Sequence, residues 1–261
     1  MGVLNVTPDS FSDGGRFLDA EAAVAHGLAL EAEGADILDV GGESTRPGAE
    51  AVAADEQIRR VVPAIERLVT RGVQAQLSVD TTRVAVAEAA VAAGATYVND
   101  VSAFRADPEL AGLVADRGLD CCLSHMRGEP RSMQADPVYD DVVADVKAFL
   151  EERLGAAVAA GIAEERIMLD PGIGFGKTLV HNLELLRRLD ELVELGRPIV
   201  IGTSRKSFLG RLTGRETGDR LAGTIATNVL ALERGATVFR VHDVGPVADA
   251  LAVTAATVRD R

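Results

Sequence analysis

Short apolar runs recur along the whole chain, and most of them are continuous rather than alternating with polar residues. Eight such runs are present: VLNV (3–6), ILDVG (37–41), QLSVDT (76–81), YVNDV (97–101), DCCLSH (120–125), IMLDPG (167–172), PIVIGTS (198–204) and VFRVHD (238–243). Alternation is typical of a strand with one face in water, whereas a continuous apolar core is typical of a parallel strand buried on both faces. The pattern therefore predicts eight buried, parallel strands.

The segments between these runs carry apolar residues at helical spacing. In residues 20–35, for example, Val24, Leu28 and Leu30 fall close to one stripe of a helix. The same reasoning predicts further helices near 54–71, 82–93, 108–117, 138–160, 179–195, 218–234 and 245–259. Several segments end in a glycine, which is typical of a left-handed helix C-cap: Gly34, Gly72, Gly94, Gly118, Gly161, Gly196 and Gly235.

Eight successive strand-then-helix units, without a break in composition, indicate one domain that spans residues 1–261. Their number and order favour an α/β fold of the TIM (β/α)8 barrel type, which often occupies this length as a single domain. The pattern alone leaves a doubly wound parallel sheet open as the alternative.

The chain is acidic: 27 Lys and Arg residues oppose 40 Asp and Glu residues, so the formal net charge is −13. This charge argues against a general affinity for nucleic acids or for anionic membranes. No apolar run approaches the roughly 20 residues of a membrane span, and the first residues lack the basic and apolar regions of a secretory leader. We expect the adjacent Cys121 and Cys122 to be buried thiols in a reducing compartment, and the protein to be cytoplasmic.

Polar side chains lie at the predicted carboxyl end of every strand, which is where a barrel of this type carries its chemistry. One such residue would be explained as a helix cap, but a ring around all eight positions would not. The ring comprises Asn5, Glu43, Ser44, Thr45, Arg46, Asp80, Asn99, Asp100, His125, Asp170, Ser204, Arg205, Lys206, Arg240 and His242.

Asp80, Asn99 and Asp170 form a first group, on predicted strands three, four and six. Their side chains can converge inside the barrel mouth, where an unpaired carboxylate is costly and needs N–H donors. A flat heterocycle with adjacent amino and ring N–H groups offers two parallel donors to a carboxylate, and asparagine offers both a donor and an acceptor. The alternative is a structural ion pair between one of these aspartates and Lys206 or an arginine.

A second group is cationic and indicates an anionic, phosphorylated substrate. Arg240 and His242 are two residues apart on predicted strand eight, so they would share a face of that strand. Together with Arg46 and Asn5 they can surround an anion near strands eight, one and two. Barrels of this type frequently bind phosphate beside strands seven and eight.

The stretch DPGIGFGKT (170–178) looks like a phosphate-binding P-loop but does not fit its pattern. The pattern G-x-x-x-x-G-K-[ST] would place its first glycine at Pro171, which has no N–H to offer a phosphate. We interpret the stretch as the loop after strand six, whose glycines let the backbone approach a flat ligand. Lys177 is expected on the rim of the mouth, in solvent.

Two loops rich in Pro, Gly, Ser and Asp, residues 5–17 and 41–50, follow predicted strands one and two. Both are predicted to be mobile lids over the mouth. Phe11 in the first lid suits closure over an aromatic substrate.

The chain closely resembles the dihydropteroate synthase family along essentially its whole length. The matching motifs occur in the family's order: MGVLNVTPDSFSDGG, DVGGESTRPGA, SVDT, NDV, HMRG, DPGIGFGK, GTSRKSF and FRVHDV. The resemblance implies a pterin-binding TIM barrel over residues 1–261. It also implies a reaction in which 6-hydroxymethyl-7,8-dihydropterin diphosphate is joined to 4-aminobenzoate and diphosphate is released.

The resemblance implies a role for individual residues by motif match. Lys206, Arg240 and His242 are the expected catalytic residues, and family members commonly form homodimers. The implied ligand contacts are, for the pterin, Asp80, Asn99, Asp170, Lys206 and Arg240; for the diphosphate, Thr45, Arg46, Arg240 and His242; for Mg²⁺, Asn5; and for 4-aminobenzoate, Phe11, Pro47, Lys206 and Ser207.

The sequence departs from the family's pattern at two points. Family members usually carry additional residues before the first strand, often as a hairpin under the barrel, whereas this sequence begins at the strand, so we expect it to lack that hairpin. The family usually has Met-His-Met on strand five, and this chain has Ser124-His125-Met126. Ser124 is therefore expected to change one wall of the pterin pocket.

The implied chemistry is electrostatic and positional, with a dissociative, SN1-like loss of diphosphate assisted by Mg²⁺. The attacking aniline nitrogen is already neutral, so no strong base is required. Two alternatives stay open. A methyltetrahydrofolate-dependent corrinoid methyltransferase has a similar barrel and similar pterin carboxylates but needs no diphosphate site. A catalytically silent paralogue would bind pterin without turnover.

Overall fold

Eight short parallel strands lie where the apolar runs predict them, and each ends at or before the predicted carboxyl end. The computed structural model describes residues 1–6, 16–44, 51–128, 133–134 and 136–258. The strands are β1 Gly2–Asn5, β2 Ile37–Gly41, β3 Gln76–Asp80, β4 Tyr97–Asp100, β5 Asp120–Ser124, β6 Ile167–Asp170, β7 Val200–Ile201 and β8 Val238–Phe239.

The strands close into a barrel. From β1 to β6 each strand pairs in parallel with the next, and β7 pairs with β8. Two isolated bridges join these groups, one from Leu169 on β6 to Ile199 and one from Gly2 on β1 to Val241. The TIM (β/α)8 barrel is therefore confirmed, and the doubly wound sheet is excluded because such a sheet leaves its outer strands unpaired.

The helices follow the strands, with two differences from the prediction. Segment 179–195 divides into two helices, because Arg188 leaves helical geometry and its guanidinium binds Asp141 and Glu191. α8 has seven residues, too few to show a helical period in the sequence. Among the described residues the helices are α1 Arg16–Ala32, α2 Ala54–Thr70, α3 Val84–Ala93, α4 Glu109–Arg117, α5 Val142–Ala159, α6 Leu179–Arg187, α7 Asp190–Val193, α8 Ser207–Thr213, α9 Leu221–Glu233 and α10 Val244–Val258.

The glycines predicted as helix C-caps all adopt positive φ. Gly118 is representative: it has a φ of 59° directly after α4, in the left-handed region that disfavours a side chain. The N–H of Leu119 then bonds back to the carbonyl of Val114 at 3.0 Å, which completes the helix end.

The interior of the barrel is apolar at its amino end and polar at its carboxyl end. A small apolar cluster fills the amino end: Ile37, Tyr97, Cys122 and Val200. Because side chains alternate along a strand, the residue two positions later points the same way. Those positions hold Asp39 on β2, Asn99 on β4 and Ser124 on β5, and all three are buried. The strands therefore deliver polar side chains to one end of an otherwise apolar barrel.

Two expectations from composition can be compared with the structure. Cys121 and Cys122 are buried and form no disulfide, and burial raises the pKa of Cys121 to about 12. The prediction of buried thiols is thus confirmed. Within the described part of the chain, no helix combines the length and the apolar character needed to cross a membrane.

Asp141 caps α5, and we expect Asp141→Ala to lower the free energy of unfolding by about 1 kcal/mol in urea denaturation at neutral pH. Its carboxylate accepts from the N–H groups of Val143 and Ala144 and from the Arg188 guanidinium. The Ala144 N–H, followed by Arg188, lowers the pKa of Asp141. The contribution should therefore be complete above the unfolded-state pKa and disappear as pH falls through the lowered value. Asp140→Ala, at the exposed neighbouring residue, is the control, and equal losses in both variants would contradict the capping role.

Candidate active site

A partly buried arginine, Arg240, lies at the centre of the barrel mouth. It follows β8 directly, and its backbone N–H donates to the Ile201 carbonyl at 2.8 Å. Its guanidinium donates to Asp39 Oδ2 at 2.6 Å and to Asp80 Oδ2 at 2.8 Å. Burial opposes the positive charge, but the two carboxylates outweigh it and hold the pKa of Arg240 above its ordinary value. Arg240 is therefore a permanent cation that ties the end of β8 to β2 and β3.

Asp39 belongs to this cluster, and the sequence interpretation missed it. It lies in the middle of β2, is fully buried, and accepts hydrogen bonds from Ser78 Oγ at 2.6 Å, Asn99 Nδ2 at 2.9 Å and Arg240 Nε at 2.6 Å. A signal for it exists in the sequence, because ILDVG is an apolar run with a carboxylate inside it. A carboxylate at a buried position must find donors on other strands.

Asp80 and Asn99 lie side by side at the ends of β3 and β4, where they were predicted to converge. They are register partners in the sheet, and they are only 7% and 5% exposed. Burial raises the pKa of Asp80 to about 7, while the ion pair with Arg240 opposes that rise. The structural ion pair considered as an alternative is therefore present at Asp80.

Asp170, at the end of β6, is held by the backbone instead. Its Oδ1 accepts from the N–H of Gly172 at 2.7 Å. Burial raises the pKa of Asp170, and Lys206 is the largest influence that opposes the rise. Within the described residues Asp170 forms no ion pair, so the ion-pair alternative applies to only one of the two predicted aspartates. Ser124 is its register partner on β5 and is buried, so the departure from the family motif does lie beside this carboxylate.

Lys206 reaches across the mouth from the start of α8 to the loop after β6. It immediately precedes Ser207, the first residue of α8. Its Nζ donates to the carbonyl of Ile173 and lies 4.4 Å from the centroid of the Phe175 ring. Burial lowers the pKa of Lys206 to about 8, and Asp170 opposes this shift. A lysine is thus placed next to the carboxylate of Asp170 without being in direct contact with it.

Arg240 and His242 follow β8, which ends at Phe239. Val241, between them, bridges Gly2 on β1. The Arg240 guanidinium contacts the interior carboxylates, whereas His242 Nδ1 lies 2.9 Å from Ser204 Oγ in the loop after β7. That the two side chains share a face stays a prediction.

Only some of the residues that were predicted to bind the anion or the metal, or to lie in the two lids, are among the described residues. Asn5 ends β1, half-buried, next to Gly41 of β2. The other predicted residues in the two lids lie outside the described residues: Phe11, Thr45, Arg46 and Pro47.

Lys177 is buried, and the prediction that it lies on the solvated rim is wrong. The residue is 2% exposed, and its Nζ lies 2.8 Å from His125 Nδ1, 3.0 Å from the Gly172 carbonyl and 3.1 Å from the Phe175 carbonyl. The loop after β6 turns back on itself at three glycines with positive φ. Its own carbonyls thereby replace the water that a lysine otherwise requires.

The mouth of the barrel therefore holds carboxylates and cations in close alternation: Asp39, Asp80, Asp170, Arg240 and Lys206. The three carboxylates, together with Asn99, offer acceptors to the N–H groups of a flat heterocycle, next to a rim that carries His242. No group of three or more His, Cys, Asp or Glu side chains in the described ranges could hold a metal ion.

Comparison with known proteins assigns a family to this arrangement. The family model described as pterin binding enzyme matches residues 1–242. Dihydropteroate synthase of Escherichia coli strain K12 is 44% identical over 258 residues, which cover 99% of this chain and 91% of that protein.

Two solved structures resemble the chain along nearly its full length. Dihydropteroate synthase of Xanthomonas albilineans with 4-aminobenzoic acid superposes with a TM-score of 0.93 at 53% identity, covering 98% of this chain and 92% of the other. The same enzyme in complex with 7,8-dihydropteroate superposes with a TM-score of 0.88 at 50% identity and the same coverage.

Asp80→Asn is expected to stabilise the protein at alkaline pH. Because burial raises the pKa of Asp80 to about 7, its contribution to stability is present in acid and is lost as pH rises through that value. Removing the charge should raise the free energy of unfolding on the order of 1–2 kcal/mol at about pH 8, and this gain should shrink towards pH 5.

Urea denaturation at the two pH values measures the effect, with Asp116→Asn on the exposed face of α4 as the control. A lower free energy of unfolding for Asp80→Asn at both pH values would contradict the prediction. It would mean that the ion pair with Arg240 outweighs the cost of burying the carboxylate.

Proposed function

The chain belongs to the dihydropteroate synthase family of pterin-binding enzymes, and from this premise we propose how its residues carry out the reaction. It is a transferase of folate biosynthesis that condenses 6-hydroxymethyl-7,8-dihydropterin diphosphate with 4-aminobenzoate to give 7,8-dihydropteroate and diphosphate. The observation that carries the residue assignments is the set of buried acceptors around Arg240, with Lys206 at its edge.

The pterin ring binds with its amino and ring N–H groups towards Asp170, Asp80 and Asn99. Support comes from the position of these side chains on three strands of one barrel end, almost fully buried and already fixed by hydrogen bonds. A site of this kind discriminates strongly against rings that lack the matching donors, because its own polar groups would be left unpaired. Lys206 donates to the acceptor side of the ring, and Arg240 lies between the ring and the diphosphate.

The diphosphate binds at the rim, where we place Thr45, Arg46 and His242. The hydroxyl of Ser204 lies 2.9 Å from Nδ1 of His242. This contact fixes the orientation of the imidazole ring. The barrel's net charge of −13 makes local cations necessary for an anionic substrate. The motif match supports the roles of Thr45 and Arg46.

Asn5 is the proposed protein ligand for Mg²⁺. Its carboxamide oxygen is a hard ligand of the type that Mg²⁺ prefers, and it lies at the carboxyl end of β1. Mg²⁺ often takes only one or two protein ligands and completes its shell with phosphate oxygens and water. When bound, the ion would neutralise charge on the departing diphosphate.

The bond between the pterin methylene carbon and the diphosphate oxygen breaks first, with its electron pair leaving on the diphosphate. Arg240 and His242 stabilise the developing negative charge, and the pterin ring delocalises the positive charge of the methylene. The neutral amino group of 4-aminobenzoate then attacks that carbon and loses a proton to water. The 4-aminobenzoate pocket is formed by Phe11, Pro47, Lys206 and Ser207.

Homodimer formation and a cytoplasmic location are also proposed. The homodimer rests on the resemblance to the family and on exposed apolar side chains of the outer helices, among them Val180 on α6, Leu212 on α8 and Val253 on α10. The cytoplasmic location rests on the two buried thiols, which form no disulfide.

Diphosphate release tests the proposed reaction directly. We expect purified protein to release diphosphate and form 7,8-dihydropteroate only when the pterin diphosphate, 4-aminobenzoate and Mg²⁺ are all present. Lys206→Ala should lower kcat/KM roughly 10²–10³-fold, because a buried donor next to the reacting groups is lost. Lys147→Ala, on the outer helix α5, is the control and should retain activity.

The alternative functions give different outcomes. Pterin binding without turnover, in the presence of both co-substrates, would indicate the silent paralogue. Methyl transfer from methyltetrahydrofolate without any need for diphosphate would indicate the corrinoid methyltransferase.

Asp39→Asn should lower kcat/KM for the pterin diphosphate about 10- to 100-fold, because Arg240 and Asn99 lose a charged acceptor that orients them. Steady-state kinetics measure the effect. Asp36→Asn, at the exposed residue just before β2, is the matched control. Equal activity of the Asp39 variant and the wild type would refute an orienting role for this carboxylate.

A further inference from the structure

Lys177 is a buried lysine for which none of the roles above accounts. It lies in the turn 171–177 after β6, and its Nζ has four partners within hydrogen-bond distance: His125 Nδ1 at 2.8 Å, the Gly172 carbonyl at 3.0 Å, the Phe175 carbonyl at 3.1 Å and the His125 carbonyl at 3.5 Å. An ammonium group has three N–H donors. The three nearest partners match this number.

The charge state of His125 agrees with this arrangement. Burial, together with the neighbouring Lys177, lowers the pKa of His125 to about 2, so the imidazole is neutral. Its Nδ1 can then accept from Lys177 while the proton resides on Nε2. Burial also lowers the pKa of Lys177, and Asp170 is the influence that opposes this shift. The lysine and Asp170 therefore stabilise each other's charged forms.

The turn held by Lys177 is the same turn that holds Asp170. Gly172 uses its carbonyl to accept from Lys177 and its N–H to donate to Asp170 Oδ1 at 2.7 Å. Its φ is +67°, and a Cβ there would overlap the His125 carbonyl oxygen, so the turn lies directly on the end of β5. The next carbonyl, that of Ile173, accepts from Lys206. Movement of this turn would displace Asp170 and the acceptor of Lys206 together.

We infer that Lys177 is a positioning residue for Asp170: its ammonium group locks the turn 171–177 onto β5 and keeps the Asp170 carboxylate ionised and aimed at the pterin. This inference rests on the proposed function, in which Asp170 accepts N–H groups of the pterin ring. Lys177 itself does not touch the substrate. It acts on Asp170 through the contact with Gly172 and through the positive charge of its ammonium group.

The charged and titratable groups around Asp170 determine the sign of the pH effect. Lys206, Arg240 and Lys177 face it as cations from the loops after β7, β8 and β6, and the Cys122 thiol faces it from β5. Burial raises the pKa of Asp170, and the three cations oppose the rise. Removal of one cation should raise the pKa further. Pterin binding, which needs the ionised form, should then fail at a higher pH than in the wild type.

The test compares Lys177→Met with the wild type and with Lys147→Met, in which a half-buried lysine of α5 that pairs with Glu194 is changed in the same way. Calorimetric titration with 6-hydroxymethylpterin from acidic to neutral pH gives the Kd profile. We expect Lys177→Met to bind the pterin about tenfold more weakly at neutral pH. The pH below which pterin binding is lost should lie about one unit higher than in the wild type. Lys147→Met should coincide with the wild type.

Each outcome has a separate meaning. A Kd profile of Lys177→Met that coincides with the wild type would overturn the inference. Weaker binding by the same factor at every pH would also overturn it, because a purely structural lysine would act in that way. A wild-type protein that does not bind the pterin would instead contradict the proposed function.

A pair of variants at His125 keeps the inference testable if Lys177→Met does not fold. His125→Gln retains a side-chain oxygen that can accept from Lys177, whereas His125→Leu removes the nearest acceptor of the ammonium group. We expect His125→Leu to lose pterin binding at a higher pH than the wild type does. His125→Gln should show the wild-type dependence of Kd on pH. Identical profiles for the two variants would overturn the inference.

Discussion

The ion pairs between Arg240 and two buried carboxylates constrain the rest of the molecule. Arg240 follows the last strand, whereas Asp39 and Asp80 lie on the second and third. The cluster therefore spans the place where the barrel closes around β1. A buried carboxylate is costly unless cations or N–H donors compensate for the lost water. The same contacts consequently satisfy the interior of the barrel and align the acceptors of the active site.

The buried carboxylates of the mouth carry an electrostatic cost, and this cost suits the ligand. Burial raises the pKa values of Asp80 and Asp170, so the folded protein bears a cost for each ionised carboxylate. A ring that brings adjacent N–H groups offsets that cost when it binds. The amino end of the barrel, where Tyr97 and Ile37 pack, is filled by apolar side chains instead.

The loop after β6 shows how backbone groups complete the site. Lys177 binds the carbonyl of Gly172 from one side, and Lys206 binds the carbonyl of Ile173 from the other. Two lysines thus hold successive carbonyls of a turn whose N–H fixes Asp170. The glycines are required because the turn lies against the backbone of β5 and runs through left-handed conformations. They serve close packing and not the binding of a phosphate.

The sequence by itself determined the eight strands, most of the helices and the polar ring at the strand ends. It did so because continuous apolar runs, helical period and glycine caps are local properties. Asp80, Asn99 and Asp170 could be predicted since each ends an apolar run. Only the tertiary structure decided which charges meet. Arg240 and Asp39 are 201 residues apart, and Lys177 is buried by a turn that folds back on β5. Which charged side chains pair depends on the closed barrel, and no local sequence pattern encodes that closure.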